Sequence, residues 1–267
     1  MTAGLPVALT FDFDAETLWL AREPDSINKP VWLSQGRYGA LHGVPRILDL
    51  LARHELRATF FIPGLVVEMH PEPCAAIVAA GHEVGHHSHT HTWPERLTPE
   101  GEREEFERGL AAIEGLTGKR PTGWRSPSGE FTPDTLPLLK EFGFTFSSNM
   151  FDSDSPYFLR DGEEATDIVE LPFAWALDDA PFWLYSNRLP GRSMAAPSAV
   201  LETWSLEFDG LAREEDRAMV IAMHPQVIGR PSRMWVLERF VEHALAGGGR
   251  FVTCGELADE TRARLTA

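Results

Sequence analysis

The sequence is short of several things, and each shortage removes a class of protein. Only two cysteines occur in 267 residues, Cys74 and Cys254, far apart in the chain. A disulfide framework is therefore not expected, and the two thiols read as reduced and mostly buried. No run of about 18 apolar residues exists, so no membrane-spanning helix is expected. Positive charge is scarce: 24 Lys and Arg face 40 Asp and Glu, for a net charge of −16. With no basic block, nucleic acid is a poor partner, because phosphate binding needs clustered cations. Such a field tolerates a neutral substrate or an amine product better than a polyanion. The opening "MTAGLPVALTFDFD" has neither the basic region nor the apolar region of a secretory signal. With the sparse cysteines, this predicts a cytoplasmic protein. Internal repeats and low-complexity linkers are absent too.

What remains is ordinary globular composition, 43% hydrophobic and 24% charged, and a regular alternation of elements. Val7 to Phe11, "RATFFIPG", "HEVGHH", "PTGWRSP", "FTFSSN", "DIVELPF", "AMVIAMHP" and "RFVTC" read as strands. Gly43 to His54, with Val44, Ile47, Leu48 and Leu51 at helical spacing, reads as an amphipathic helix. Further helices follow at Cys74 to Ala80, from Thr98 to about Gly118, at Thr132 to Phe142 and at Ser232 to Ala246. A last helix closes the chain. Strand–helix alternation predicts a parallel sheet with helical crossovers. With roughly seven parallel strands, the expected fold is α/β, a distorted (β/α) barrel forming a single domain over residues 1–267. Ala15 to Ala40 and Ala174 to Pro197 read as long irregular stretches, a length that is often functional.

Polar residues gather at strand carboxyl ends, where such barrels carry their chemistry. Asp12 and Asp14 end the first strand, and "HHSHTH" ends the third. Arg125 ends another, Asp152 and Asp154 follow the next, and His224 ends "VIAMH". Residues four apart in an extended strand lie about 13 Å apart and cannot share an ion. A metal site therefore requires the chain to turn between His87 and His91. His87 with His91 forms one candidate pair, and His86 with His89 a rival that spacing alone leaves open. Asp14 or Asp12 is the nearest carboxylate. Two imidazoles and a carboxylate leave coordination positions free, as in catalytic zinc sites that activate water near neutral pH.

In order along the chain, "LTFDFDAE", "HSHTH", "RSPSG", "FDSDSPY" and "VIAMHP" resemble the five motifs of the polysaccharide deacetylase superfamily, carbohydrate esterase family 4. The resemblance runs from about Val7 to Leu257. It implies a distorted (β/α) barrel and metal-dependent amide or ester hydrolysis, usually with zinc or another divalent transition metal. It also implies roles. Asp14, His87 and His91 hold the metal, and Asp12 is the general base. Arg125 orients and charge-pairs that base, and His224 protonates the leaving amine. The first motif departs from the common form, since Phe13 separates the two aspartates and Ala15-Glu16 follows. "LPFAWALDDAPFWLY" and "HPQVIGRPSR" resemble a cytoplasmic subgroup that includes peptidoglycan-deacetylase-like proteins and hydrolases of cyclic amides such as allantoin and cyclic imides. This subgroup implies a homotetramer. The expected activity is N-deacetylation of an N-acetylated sugar or oligosaccharide, with opening of a cyclic amide, imide or ureide as the alternative. Trp124 and Trp175, nearest the motif positions, are the expected substrate contacts, and Asp152 and Asp154 are expected to polarise His224 or line the pocket. Of His86 and His89, one is expected to pack or hydrogen-bond and the other to face solvent or substrate.

Overall fold

The computed structural model describes residues 4–185 and 193–267. The first half of the chain runs β1 (Pro6–Asp12), α1 (Thr17–Arg22), α2 (Pro30–Tyr38), α3 (Val44–Arg53), β2 (Thr59–Ile62), α4 (Gly64–Met69), α5 (Pro71–Ala79) and β3 (Glu83–His86). It continues with α6 (Pro99–Thr117), β4 (Gly123–Trp124), α7 (Thr135–Glu141) and β5 (Phe146–Ser147). The second half runs β6 (Tyr157–Asp161), β7 (Glu164–Glu170), α8 (Ala180–Trp183), α9 (Pro197–Leu211), β8 (Met219–Met223), α10 (Pro225–Ile228), α11 (Pro231–Ala246), β9 (Arg250–Phe251) and α12 (Cys254–Thr266).

Local chemistry accounts for the main boundaries. On α3, Val44, Ile47, Leu50 and Leu51 are buried on one stripe, the helical spacing of an amphipathic surface helix. Thr98 caps α6 by accepting from the Gly101 N–H, Pro99 fills the first position, and Gly118 ends it at φ 69°. Thr253 and Glu256 form a reciprocal capping box on α12.

The strands form one curved sheet in the order β6-β7-β5-β4-β3-β2-β1-β8, with β9 beside β1. Every pairing is parallel except β6 with β7. The sheet is thus the expected distorted barrel with helices outside, though it carries more than the seven strands anticipated. The antiparallel β6 was not anticipated; "YFLRD" pairs only with β7, across a turn at Gly162 (φ 61°). An isolated parallel bridge, Asp178 to Ala222, carries the chain beyond β7 across to β8.

The alternation of side chains across β1 sorts the core into two faces. Val7, Leu9, Phe11 and Phe13 pack outward with Ile47, Phe60 and Phe240 under the helices. Ala8 packs inward with Phe61, Phe146 and Val220. Thr10 and Asp12 share that inward face. The stretch from Ala15 to Ala40 is not irregular: it contains α1, a 3₁₀ turn at Pro24–Asn28 and α2. The Ala174 to Pro197 stretch holds α8 and a 3₁₀ turn at Trp175–Leu177, and its residues 186–192 lie outside the described residues.

Candidate active site

The first motif places two carboxylates on one side because Phe13 stands between them. Phe13 joins the outer core and its N–H bonds the Phe61 carbonyl at 2.9 Å. Asp12 and Asp14, two residues apart, therefore share the inward side. Beyond the strand, Ala15, with a φ of 46°, turns the chain into α1.

The histidine loop turns where a metal site requires it, by two left-handed residues rather than by a helical turn. Ser88 and His91 both have φ 65°, a conformation uncommon outside glycine. The rings of His87 and His91 come within 5.0 Å, centroid to centroid. Asp14 Oδ1 lies 3.4 Å from His87 Nε2 and 3.5 Å from His91 Nε2. Two ligands each about 2.1 Å from an ion, at the tetrahedral angle, stand about 3.4 Å apart. Asp14 Oδ1 is wholly buried and has no hydrogen-bond partner among the described residues, which is costly unless a cation sits against it. His87 Nδ1 is 2.7 Å from the Arg125 carbonyl; an Nδ1–H donated there leaves the Nε2 lone pair facing Asp14, the usual arrangement of a metal-binding histidine. Burial pushes the His91 imidazole down to about 4, against the pull of Asp14, so it is neutral, as a ligand must be. Burial would raise the Asp14 pKa, but His91, His87 and His224 outweigh it and hold that carboxyl well below the usual range. The residues fit a divalent ion.

The rival pair does not reach the site. His86 stacks on Phe106 at 5.3 Å, with Nε2 3.1 Å from the Phe106 carbonyl and Nδ1 accepting from the Ser88 N–H; burial lowers its pKa to about 3. His89 faces neither solvent nor the pocket. It is 1% exposed and packs against Gly64, where an added Cβ would lie 2.5 Å from its Nδ1.

Across the site, Asp12 Oδ1 accepts from Arg125 Nη1 at 2.8 Å, and its other oxygen has no hydrogen-bond partner among the described residues. Arg125 also donates to Thr10 Oγ1 and to the Ser148 carbonyl and hydroxyl, between the rings of Phe61 and Phe173. His224 brings Nε2 to 3.8 Å from Asp14 Oδ2. Its Nδ1 bonds Asp179 Oδ1 at 2.7 Å, its backbone N–H donates to Asp179 Oδ2 at 3.1 Å, and Asp178 Oδ1 stands 3.8 Å from Nδ1. Burial disfavours charge on His224, yet the two carboxylates more than offset it and hold the imidazole well above its usual pKa. Burial pushes Asp178 itself up to about 7, against the pull of His224. Gln226 Nε2 donates to Asp14 Oδ2 at 3.3 Å.

Asp12, His87, His91, Arg125, Asp178 and His224 all line one cavity of about 450 Å³. Trp175 lines it too, 53% exposed and stacked on Phe151 at 4.6 Å. Besides that of a histidine facing solvent or substrate, which neither His86 nor His89 meets, two further expectations fail. Trp124 is 1% exposed, stacked on Phe106 and absent from the cavity wall; its neighbour Arg125 points inward, so strand alternation turns Trp124 toward the helices. Asp154 and Asp152 are exposed, outside the cavity. The Asp154 carbonyl accepts from Ala218 N, at the amino end of β8, about 17 Å of strand from the end that carries His224. Asp152 bonds Tyr157. The groups against His224 are instead Asp178 and Asp179. Their adjacent carboxylates in "LDDAP" were visible, but no local pattern links them to a histidine 45 residues later.

Residues 29–147 match the family profile described as Polysaccharide deacetylase. The chain is 32% identical to a peptidoglycan deacetylase of Helicobacter pylori, over 97% of both proteins. A crystal structure from Mycobacterium smegmatis, assigned as a polysaccharide deacetylase, superposes with a TM-score of 0.91 at 35% identity, covering 99% of this chain and 93% of that one. The PuuE allantoinase structure shares the fold, with a TM-score of 0.82 at 23% identity over 97% of this chain and 90% of that one. Identity at that level along the whole length, on a barrel whose strand ends carry the five motifs in order, makes this chain a member of the polysaccharide deacetylase family.

Proposed function

We propose that the protein is a metal-dependent amidohydrolase, with zinc as its ion, that removes the acetyl group from an N-acetylated sugar or oligosaccharide. One observation carries this: a buried Asp14–His87–His91 cluster faces a carboxylate, Asp12, and an imidazole, His224, across one cavity. The H. pylori relative, named a peptidoglycan deacetylase, supports the substrate class. Two nitrogens and one oxygen suit zinc. A divalent ion held there supplies a Lewis acid for the amide carbonyl and lowers the pKa of water.

The chain's own residues do the rest. Asp12 takes the proton from the attacking water through its unbonded oxygen, while Arg125 holds the other oxygen in place. Water adds to the acetyl carbon, and the C–N bond then breaks. His224 Nε2 gives its proton to the departing nitrogen, with Nδ1 tied to Asp179 throughout. The products are acetate and a free amine. The face of Trp175 at the cavity wall suits the apolar face of a sugar ring.

A coupled assay for acetate tests the reaction, since opening a cyclic amide releases none. Acetate should appear from chitooligosaccharide or peptidoglycan fragments. His87→Ala should lose both metal and turnover, and Asp12→Asn should keep the metal and lose turnover by roughly 10²–10⁴-fold. Ring opening of allantoin or succinimide without any acetate release would replace the deacetylase reading by the cyclic-amide one.

A further inference from the structure

Glu105 belongs to none of the five motifs, yet its buried side chain grips the loop that carries the metal-binding histidines. Oε2 accepts from the Ser88 hydroxyl at 2.5 Å, from the His89 N–H at 2.9 Å and from the Thr90 N–H at 2.7 Å. Oε1 accepts from the Thr90 hydroxyl at 2.8 Å. The left-handed Ser88 turns successive N–H groups toward one point, a backbone nest that binds an anion. The carboxylate fills it. The residues it clasps, Ser88 to Thr90, are the whole segment between His87 and His91.

The helix bearing Glu105 also touches the loop directly. A Cβ at Gly109, one turn further along α6, would lie 2.6 Å from the Ser88 carbonyl and 2.4 Å from His86 Nε2. The loop therefore has a rigid backing, and the left-handed His91 at its end is held against the cost of that conformation. We propose that Glu105 is a positioning residue for the metal: its carboxylate holds residues 88–90 in the turn that brings His87 and His91 to one ion, and so sets how tightly the ion is bound. This rests on the metal site read above.

A glutamine at this position keeps the size but turns one acceptor into a donor. Three donors converge on Oε2, so an amide NH₂ there opposes all of them, and one at Oε1 opposes the Thr90 hydroxyl. Glu102 provides the control. It lies three residues earlier on the same helix, is also buried, and accepts from the hydroxyls of Thr132 and Thr135 at 2.6 and 2.5 Å. It makes no bond to the histidine loop.

The experiment measures zinc dissociation constants of the metal-stripped full chain by competition with a chromophoric chelator, and the melting temperature of each metal-free variant. Glu105→Gln should weaken zinc by roughly 10–100-fold, the usual consequence of losing an outer partner of a metal ligand. Glu102→Gln should bind zinc as the wild type does, although both lower the metal-free melting temperature. If Glu105→Gln does not fold, Thr90→Val removes one of the four bonds and should weaken zinc to a lesser degree. Zinc binding abolished in His87→Ala but equal to wild type in Glu105→Gln, or in Thr90→Val where that variant stands in, would overturn this inference and leave the site reading intact. Equal weakening by Glu102→Gln would also overturn it, as a general effect of lost stability. A wild-type chain that binds no divalent ion would overturn both.

Discussion

Replacing Asp179 by asparagine isolates the acid from the metal. In the native site each oxygen of Asp179 accepts one bond from His224, one from the ring Nδ1 at 2.7 Å and one from the backbone N–H at 3.1 Å. Asparagine can match only one of these, and it removes the negative charge that offsets burial of the imidazolium. Breaking a buried ion pair by removing one partner typically costs about 3–5 kcal/mol. Here His224 can escape most of that penalty by releasing its proton, so the damage moves from stability to catalysis. A neutral His224 no longer supplies the acid, and a general acid is worth roughly 10²–10⁴-fold; kcat/KM should fall by that amount at neutral pH. The pH profile gives the sign. The folded pKa of His224 is raised, so the stability from this pairing is complete below the unfolded imidazole value of about 6.5 and fades as pH rises through the raised one. The alkaline limb of kcat/KM should accordingly move toward acid in Asp179→Asn. Zinc content by elemental analysis should match wild type, because Asp179 does not face the ion site. Wild-type kcat/KM with an unmoved alkaline limb, or loss of zinc with activity, would refute the assignment of Asp179 to the acid.

Trp175→Ala should raise KM for a chitooligosaccharide about tenfold while leaving kcat near wild type, as loss of an aromatic contact worth about 0.5–1.5 kcal/mol beyond its area would do; steady-state kinetics on substrates of increasing length check this, and an unchanged KM at every length would remove Trp175 from the binding surface. Cys74 and Cys254 are wholly buried, and burial pushes each thiol up to about 12. Neither should react with iodoacetamide at pH 8 in the folded protein, and both should react in guanidinium, which mass spectrometry resolves.

The parts of this molecule legible in the sequence are those that local physics decides. The Thr98-Pro99 start of α6, its end at Gly118, and the apolar stripe of α3 follow from capping and periodicity within a few residues. The meeting of the first motif with the histidine loop is legible because both sit just past strand ends, which a parallel sheet brings to one side; the choice of Asp14, His87 and His91 within them follows from the family resemblance alone, since spacing leaves His86, His89 and Asp12 open. The position of Asp178 and Asp179 depends on one isolated bridge, Asp178 to Ala222, which no periodicity in the sequence announces. Trp124 lies next to a motif in sequence but not beside the site in space, because adjacent residues of a strand face opposite ways. Glu105 looks like any surface glutamate in "EREEFERG", and only the fold over it shows that it is buried.

The two halves of the proposed chemistry meet at Arg125, and they use different parts of it. Its backbone carbonyl accepts from His87 Nδ1 and so fixes which nitrogen faces Asp14. Its guanidinium bonds Asp12 and is itself fixed by Thr10 and Ser148 and by two aromatic faces. A buried ion pair is costly unless further hydrogen bonds satisfy its donors, and these partners take four of the five guanidinium N–H groups. Arg125, just past the short strand β4, thereby fixes Asp12 and His87 relative to one another. A motif centred on an arginine thus bears on a site whose proposed ligands follow β1 and β3: register in the sheet brings the two separate clusters to one cavity.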